Sequence, residues 1–254
     1  MWDLNLILGE NGDILQYDAK QKKKASLGVK QLNRPFCNYF SFGLDARSGL
    51  GFDKLRTGTA CCNKAMYGWV GVKKLLCCCS SGHMSKTAKV KDLIQCVMST
   101  NSEGNEHVLF ATDKDFQAER YLKGNPISLV FTNLNSYMGG QTDLWLTGRG
   151  KDLGLVDTKG DPIKPEQMNI VDQTQHNDDK IEISILDSFF HMAGGKGRRI
   201  AQEKGPVNII FKQASNVTYV QADGEYYKAI NLQAITVKLH ERIGRIRILK
   251  NVFD

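Results

Sequence analysis

The stretch "VTYVQADGEYYKA", residues 217–229, sets one carboxylate where chemistry could use it. Runs of β-branched and aromatic residues flank Asp223-Gly224. That is the strongest short signal for a two-residue hairpin, because a type I′ turn needs positive φ at both central positions. Such a turn pairs Ala222 with Glu225 and fixes the glutamate beside a rigid tip. Glu225 is then either a solvated residue on a surface hairpin, the ordinary fate of a polar tip, or a carboxylate held out to accept a proton.

Other groups invite weaker readings. "HNDDKIE" places Asp178, Asp179 and Glu182 before and within a strand. Clustered carboxylates can hold a hydrated divalent cation, and they equally suit the polar start of a strand. "NSYMGG", residues 135–140, falls where a strand gives way to a loop and by itself reads as a turn. "AGGKGRR" offers glycines and a lysine to phosphate oxygens, yet it lacks the G-x-x-x-x-G-K-[ST] spacing and does not directly follow a strand. It is set aside as a nucleotide loop and kept as a basic face able to touch a phosphate. The histidines at 83, 107, 176, 191 and 240 form no H-E-x-x-H pair, and no serine sits in a nucleophile-elbow sequence.

The elements that must position these groups are mostly strands. "MWDLNLIL" alternates with Trp2, Leu4, Leu6 and Leu8 on one face, and "GENG" reads as a tight turn into a second strand, "DILQYDA". "KQKKKASLGVKQLNRP" reads as a basic loop and "FCNYFSFGL" as a buried strand. "DARSGLGFDKLR" and "NKAMYGWVGVKKLLCC" read as helices, the second with Trp69, Val72, Leu76 and Cys79 on one face beside Lys73 and Lys74. Strands are expected in "KVKDLIQCVMS", "EHVLFAT", "ISLVFTNLN", "KIEISIL", "VNIIFKQ", "AITVKLH" and "GRIRILK". Asp187 is expected to cap a helix running through "SFFHMAGGKGRRIAQEK", weakened at Gly194-Gly195. Residues 146–180 form a long connection rich in Gly, Asp, Lys and Pro. There is no internal repeat. Many strands with few helices predict a mainly β fold, an antiparallel β-sandwich with helical insertions (α+β).

Composition sets the class. The 254 residues are 41% hydrophobic, enough for the core of one large β-rich domain or of two small ones. No apolar run reaches membrane-spanning length, and the start resembles no signal peptide. The seven cysteines are Cys37, Cys61, Cys62, Cys77, Cys78, Cys79 and Cys96, with two contiguous clusters at 61–62 and 77–79 and no C-x-x-C pair. Reduced, structural thiols in a cytoplasmic protein are the expectation, with "KKLLCCC" as a palmitoylation or membrane-contact patch the sharper alternative. The formal charge is +7. Nucleic acid, an acidic lipid surface or a phosphorylated substrate would each suit it. No RNP-type or helix-turn-helix pattern accompanies the basic residues, so no nucleic acid is expected.

Taken in order, "NYFSFGLDARSGLGFDKLR", "NKAMYGWVGVKKLL", "NPISLVFTNLNSYMGGQTDLW", "NDDKIEISIL", "GRRIAQ" and "YVQADGEYYKA" resemble the accessory, C-terminal half of eukaryotic-type diacylglycerol kinases. The match covers nearly the whole chain, and its specificity lies in the order of the pieces. The resemblance implies a two-lobed lipid kinase that moves the γ-phosphoryl of ATP to the hydroxyl of diacylglycerol, giving phosphatidic acid. The first lobe would carry a Gly-Gly-Asp-Gly nucleotide motif, which this sequence does not contain. Residues 1–254 would then be the β-sandwich lobe, inactive alone. ATP and Mg2+ would be bound mainly by the other lobe. The partners implied are that lobe and diacylglycerol in a membrane, with peripheral attachment to it. A sphingosine or ceramide kinase of the same superfamily, or a non-catalytic module for acidic lipid, are the competing readings.

The resemblance also assigns residues. Glu225, the glutamate of "DGE", would be the general base for the lipid hydroxyl. Asp178 matches the first acidic position of an Asp-Gly-x-x-Asp/Glu-type stretch linked to a magnesium–water network, with Asp179 where the family has glycine. Asp45 in "GLDA" matches an aspartate near the cleft. "NSYMGG" departs from the family's Pro-Ser-Tyr-Gly-Gly-Gly type at Asn135 and Met138. Tyr137, Gly139 and Gly140 would line the cleft or the lipid, with Asp223 beside them.

Overall fold

Along β1 (Trp2–Asp18) the side chains of Trp2, Leu4, Leu6 and Leu8 are buried, while Asp3, Asn5 and Ile7 between them are partly exposed. That is the two-residue period of a strand with one face in a core. The computed structural model describes residues 1–18, 23–53, 88–101, 103–134, 137, 144, 153–168, 178–212 and 217–241.

β1 does not fold back at "GENG". It runs antiparallel to β14 (Glu225–Leu239) from Trp2↔Leu239 to Gln16↔Tyr227, and residues 9–12 bulge out between the pairs Leu8↔Leu232 and Asp13↔Ile230. The local turn signal yields to a partner 15 residues long, which offers an unbroken edge to both halves of β1. The bulge's carbonyls also find a donor, since Lys30 Nζ bonds the Glu10 and Gly12 oxygens at 2.6 and 3.1 Å. The segment read as a basic loop pairs as well. β2 (Lys23–Ser26) and β3 (Gln31–Phe36) both lie antiparallel to β1, and Leu32 and Phe36 give β3 its buried side.

The remaining strands are β4 (Tyr39–Gly43), β5 (Ile94–Thr100), β6 (Glu106–Ala111), β7 (Arg120–Leu122), β8 (Ser128–Thr132), β9 (Leu155–Asp157), β10 (Ile181–Leu186), β11 (Arg198–Glu203), β12 (Val207–Phe211) and β13 (Val217–Ala222). They follow one hydrogen-bonded path, β11-β10-β8-β4-β13-β14-β12-β5-β6-β7-β9, antiparallel throughout save for β6 with β7. β14 turns this path into layers. Its first half pairs with β13 and its second half with β12, and Asn231 at the hand-over has φ 53°. Phe42 of β4 consequently meets Phe211 of β12 across the core, with ring centroids 5.6 Å apart. The two halves of the path are tied together too: Ser99 Oγ of β5 donates to Glu203 Oε2 of β11 at 3.1 Å, and the Gly154 N–H, just before β9, donates to the Arg199 carbonyl at 3.0 Å. The mainly β, α+β architecture expected from the pattern of short apolar runs is the one observed.

Helices are few and local. α1 (Leu44–Asp53) forms where "DARSGLG" predicts one, and it packs on β4, β13 and β14. Its approach to β14 requires Gly49, because a Cβ there would overlap the ring of Tyr226. The strand expected from Lys89 opens instead with a helical turn at Val90–Leu93. The helix expected after Asp187 is only Phe189–Ala193. Ser188 caps it, its Oγ accepting the His191 N–H at 3.2 Å. Asp187 is spent on Arg198, which donates to it from Nη2 at 2.6 Å and Nε at 2.7 Å. Gly194-Gly195 end the helix, and "GRRIAQ" is released to pair as β11 with β10. The described part of the 146–180 connection contains β9 and a 3₁₀ turn at Pro165–Met168. The helix expected over residues 63–79, the clusters at Cys61, Cys62 and Cys77 to Cys79, and the strand "GRIRILK" lie outside the described residues. Among the described residues no helix is long and apolar enough to cross a membrane.

Candidate functional site

The β13–β14 hairpin has the geometry that Asp-Gly requires. Asp223 and Gly224 take φ values of 46° and 86°, and Ala222 pairs with Glu225. The tip is tied down from outside the hairpin. Asp223 Oδ2 accepts the Cys37 N–H at 2.6 Å, and its Oδ1 accepts those of Asn38 and Tyr39 at 2.9 and 3.0 Å. Gln221 Oε1 takes the Gly224 N–H at 3.0 Å. Both Asp223 oxygens are therefore occupied with backbone donors of the β3–β4 turn, and the residue positions the tip.

Glu225 leans out from this anchor, with 60% of its side chain exposed. Its Oε2 accepts the Tyr227 hydroxyl at 2.5 Å and lies 3.8 Å from Arg34 Nε. Arg34 Nε donates to the Tyr227 oxygen at 2.9 Å. The Tyr227 phenol is pushed up to about 12, first by burial and then by its bond to the Glu225 carboxylate. At neutral pH it stays a donor. Both contacts to Glu225 fall on Oε2, and Oε1 takes part in neither. The arrangement can present one carboxylate oxygen to an incoming hydroxyl and hold the other.

Asp45 belongs to a second group. It lies in the first turn of α1, buried, with Ser41 Oγ donating to Oδ2 at 2.6 Å and its own N–H donating to Ser128 Oγ at 3.0 Å. Burial pushes its carboxyl above the usual aspartate range, and the Ser41 and Tyr137 hydroxyls act against that by bonding to it. Tyr137 is fully buried, edge-on to Tyr39 with centroids 5.2 Å apart. Strand alternation separates the two groups. Glu225 pairs with Ala222, and Ala222 with Phe40, so their side chains share a face, whereas Ser41 with its partner Asp45 falls on the other. The link between them is Tyr39, whose N–H is held by Asp223 and whose ring touches Tyr137.

Asp178 is partly buried and its Oδ1 accepts the Lys180 N–H at 3.1 Å. Asp179, where the resembling family has glycine, has φ 57°, a left-handed conformation that aspartate tolerates better than most residues. Glu182 is buried and accepts from Gln202 Nε2 at 3.0 Å. Among the described residues no three His, Cys, Asp or Glu side chains are placed to hold a metal ion. The described residues do not by themselves fit a protein-held magnesium, because Asp178 contributes one carboxylate with one oxygen already engaged. Gly139 and Gly140 lie outside the described residues.

Sequence reasoning missed Arg34 and Tyr227. Tyr227 was within reach, since it stands two residues from Glu225 on one strand face. Arg34 had no local signal, being 193 residues from Tyr227 and in a segment read as loop.

A sequence model of the diacylglycerol kinase accessory domain matches residues 35–226. No curated protein sequence matches the chain.

Proposed function

The chain belongs to the diacylglycerol kinase accessory domain family, and on that footing we propose that it is the second lobe of an ATP-dependent lipid kinase, with Glu225 as general base. The lobe would lie against a separate nucleotide-binding lobe that holds ATP and Mg2+, the metal neutralising charge on the phosphates. The lipid would be diacylglycerol, reached by peripheral attachment to a membrane. Its hydroxyl proton passes to Glu225 as the oxygen bonds the γ-phosphorus. The bond from that phosphorus to ADP breaks, leaving phosphatidic acid and ADP.

The observation that carries this reading is the pairing of exposure with anchorage at Glu225. An ordinary hairpin glutamate is exposed and loose. This one is exposed, yet sits on a turn held by three backbone bonds to Asp223 and is gripped at Oε2. A primary alcohol is a poor nucleophile, and a fixed carboxylate within hydrogen-bond reach lowers that barrier by on the order of 10²–10⁴-fold in rate.

The test is incorporation of labelled γ-phosphate by the complete protein, nucleotide lobe included, offered diacylglycerol, sphingosine and ceramide in mixed micelles. The reading expects diacylglycerol to be phosphorylated and Glu225→Gln to slow it at least 100-fold, with nucleotide affinity unchanged. Preference for the amine or amide lipids would replace the substrate. No transfer to any lipid, with anionic liposome binding intact, would make the chain a lipid-binding module.

A further inference from the structure

We propose that Tyr227 and Arg34 are positioning residues that clamp Glu225 Oε2, so that Oε1 is the atom that takes the lipid's proton. The inference rests on the reading of Glu225 as the base and adds what directs it. Hydrogen-bond polarity fixes the chain of contacts. Arginine has donors only, so Arg34 Nε must donate to the Tyr227 oxygen, and the phenolic hydrogen is left to point at Glu225. The order Arg34 to Tyr227 to Glu225 is thus one-directional, and every member donates towards the carboxylate.

The parts differ in mobility in a way that suits a clamp. The Tyr227 ring is fully buried and cannot swing, whereas Glu225 is open and would otherwise sample several rotamers. A phenol held near 12 keeps its proton at every working pH, so the grip on Oε2 does not come and go. The Arg34–Glu225 approach of 3.8 Å between two exposed groups adds little stability, which leaves orientation as its effect.

Four forms of the complete kinase decide it: Tyr227→Phe, Arg34→Gln, Glu225→Gln and the double variant Tyr227→Phe/Glu225→Gln. Tyr227→Phe removes one oxygen from a buried ring and leaves two exposed partners to water, so the thermal midpoint should fall by no more than a few degrees. Its kcat should fall about tenfold, with KM for lipid and for ATP unchanged, the pattern of a misaimed reacting group. Arg34→Gln should fall less, and the double variant should be no slower than Glu225→Gln alone. If Glu225→Gln is slow while Tyr227→Phe and Arg34→Gln turn over normally, the clamp is wrong and the base assignment stands. Losses that multiply in the double variant also overturn it. Normal turnover by Glu225→Gln removes the base, and the clamp with it.

Discussion

Asp223 and Tyr39 hold each other twice: the Tyr39 N–H donates to Asp223 Oδ1 at 3.0 Å, and the Asp223 N–H donates to the Tyr39 carbonyl at 3.1 Å. The hairpin tip is thereby located by β4, and Glu225 inherits its place from a strand on which it does not lie. Asp223→Ala removes three backbone partners and puts alanine at φ 46°, an unfavourable conformation for it. The thermal midpoint should drop by a few degrees, about 2–4 °C for each kcal/mol lost in a domain of this size. Turnover of the complete kinase should fall with it. Asp223→Asn keeps one acceptor and tolerates the turn, so it should lie between. Thermal melts and kcat on the same preparations check the order, and an alanine variant with normal kcat would detach the tip from activity.

Asp45 predicts a particular pH dependence. Burial raises its folded pKa above the ordinary aspartate value near 4, so the folded state binds its proton more tightly than the unfolded one. The stability this proton confers is complete below the ordinary value and is lost as pH rises through the folded value. At neutral pH the charged Asp45 therefore weakens the fold. Asp45→Asn should melt higher than the parent at pH 7, and the gap should shrink as pH falls through that window. Melts from pH 7 to about 4 measure the gap. A constant or negative gap would mean that Ser41 and Tyr137 outweigh burial.

The net charge of +7 bears on membrane attachment. If the positive surface meets anionic lipid, binding to phosphatidylserine vesicles should weaken steeply between low and physiological salt, where charges are screened beyond roughly 8 Å. Sedimentation with neutral and anionic vesicles at several salt concentrations tests this. Equal binding to both kinds at all concentrations would rule out an electrostatic contribution.

Residues 1–254 contain no Gly-Gly-Asp-Gly motif, and phosphoryl transfer depends chiefly on positioning phosphates and metal. The chain by itself should transfer no label to diacylglycerol above background, and activity should appear when a nucleotide-binding lobe is supplied in trans. Robust turnover by the chain alone would contradict the two-lobed reading.

Local signals proved the most dependable in the sequence. Asp223-Gly224 encodes its own turn through two positive φ values, so the pairing of Ala222 with Glu225 was legible from a few residues. "GENG" carries a turn signal of similar strength and became a bulge, because the partner that decides it, β14, lies more than 200 residues away. Asp187 was legible as a cap by type, but Arg198 competes for it in the folded chain. The same limit hid Arg34. Its role depends on a tyrosine at the far end of the sequence, and nothing near it advertises that partner.

β3 pairs with β1 alone, so one of its sides faces no strand among those described. A chain so rich in strands risks recruiting another copy along such a border. Here the border carries Arg34 and Pro35, one charged and the other lacking an N–H to offer a newcomer. β2, the other strand hung on β1, begins with Lys23 and Lys24. The residue that aims Glu225 thus stands on a margin whose chemistry also discourages edge-to-edge aggregation, and replacing Arg34 with an apolar residue would remove one of those safeguards together with the clamp.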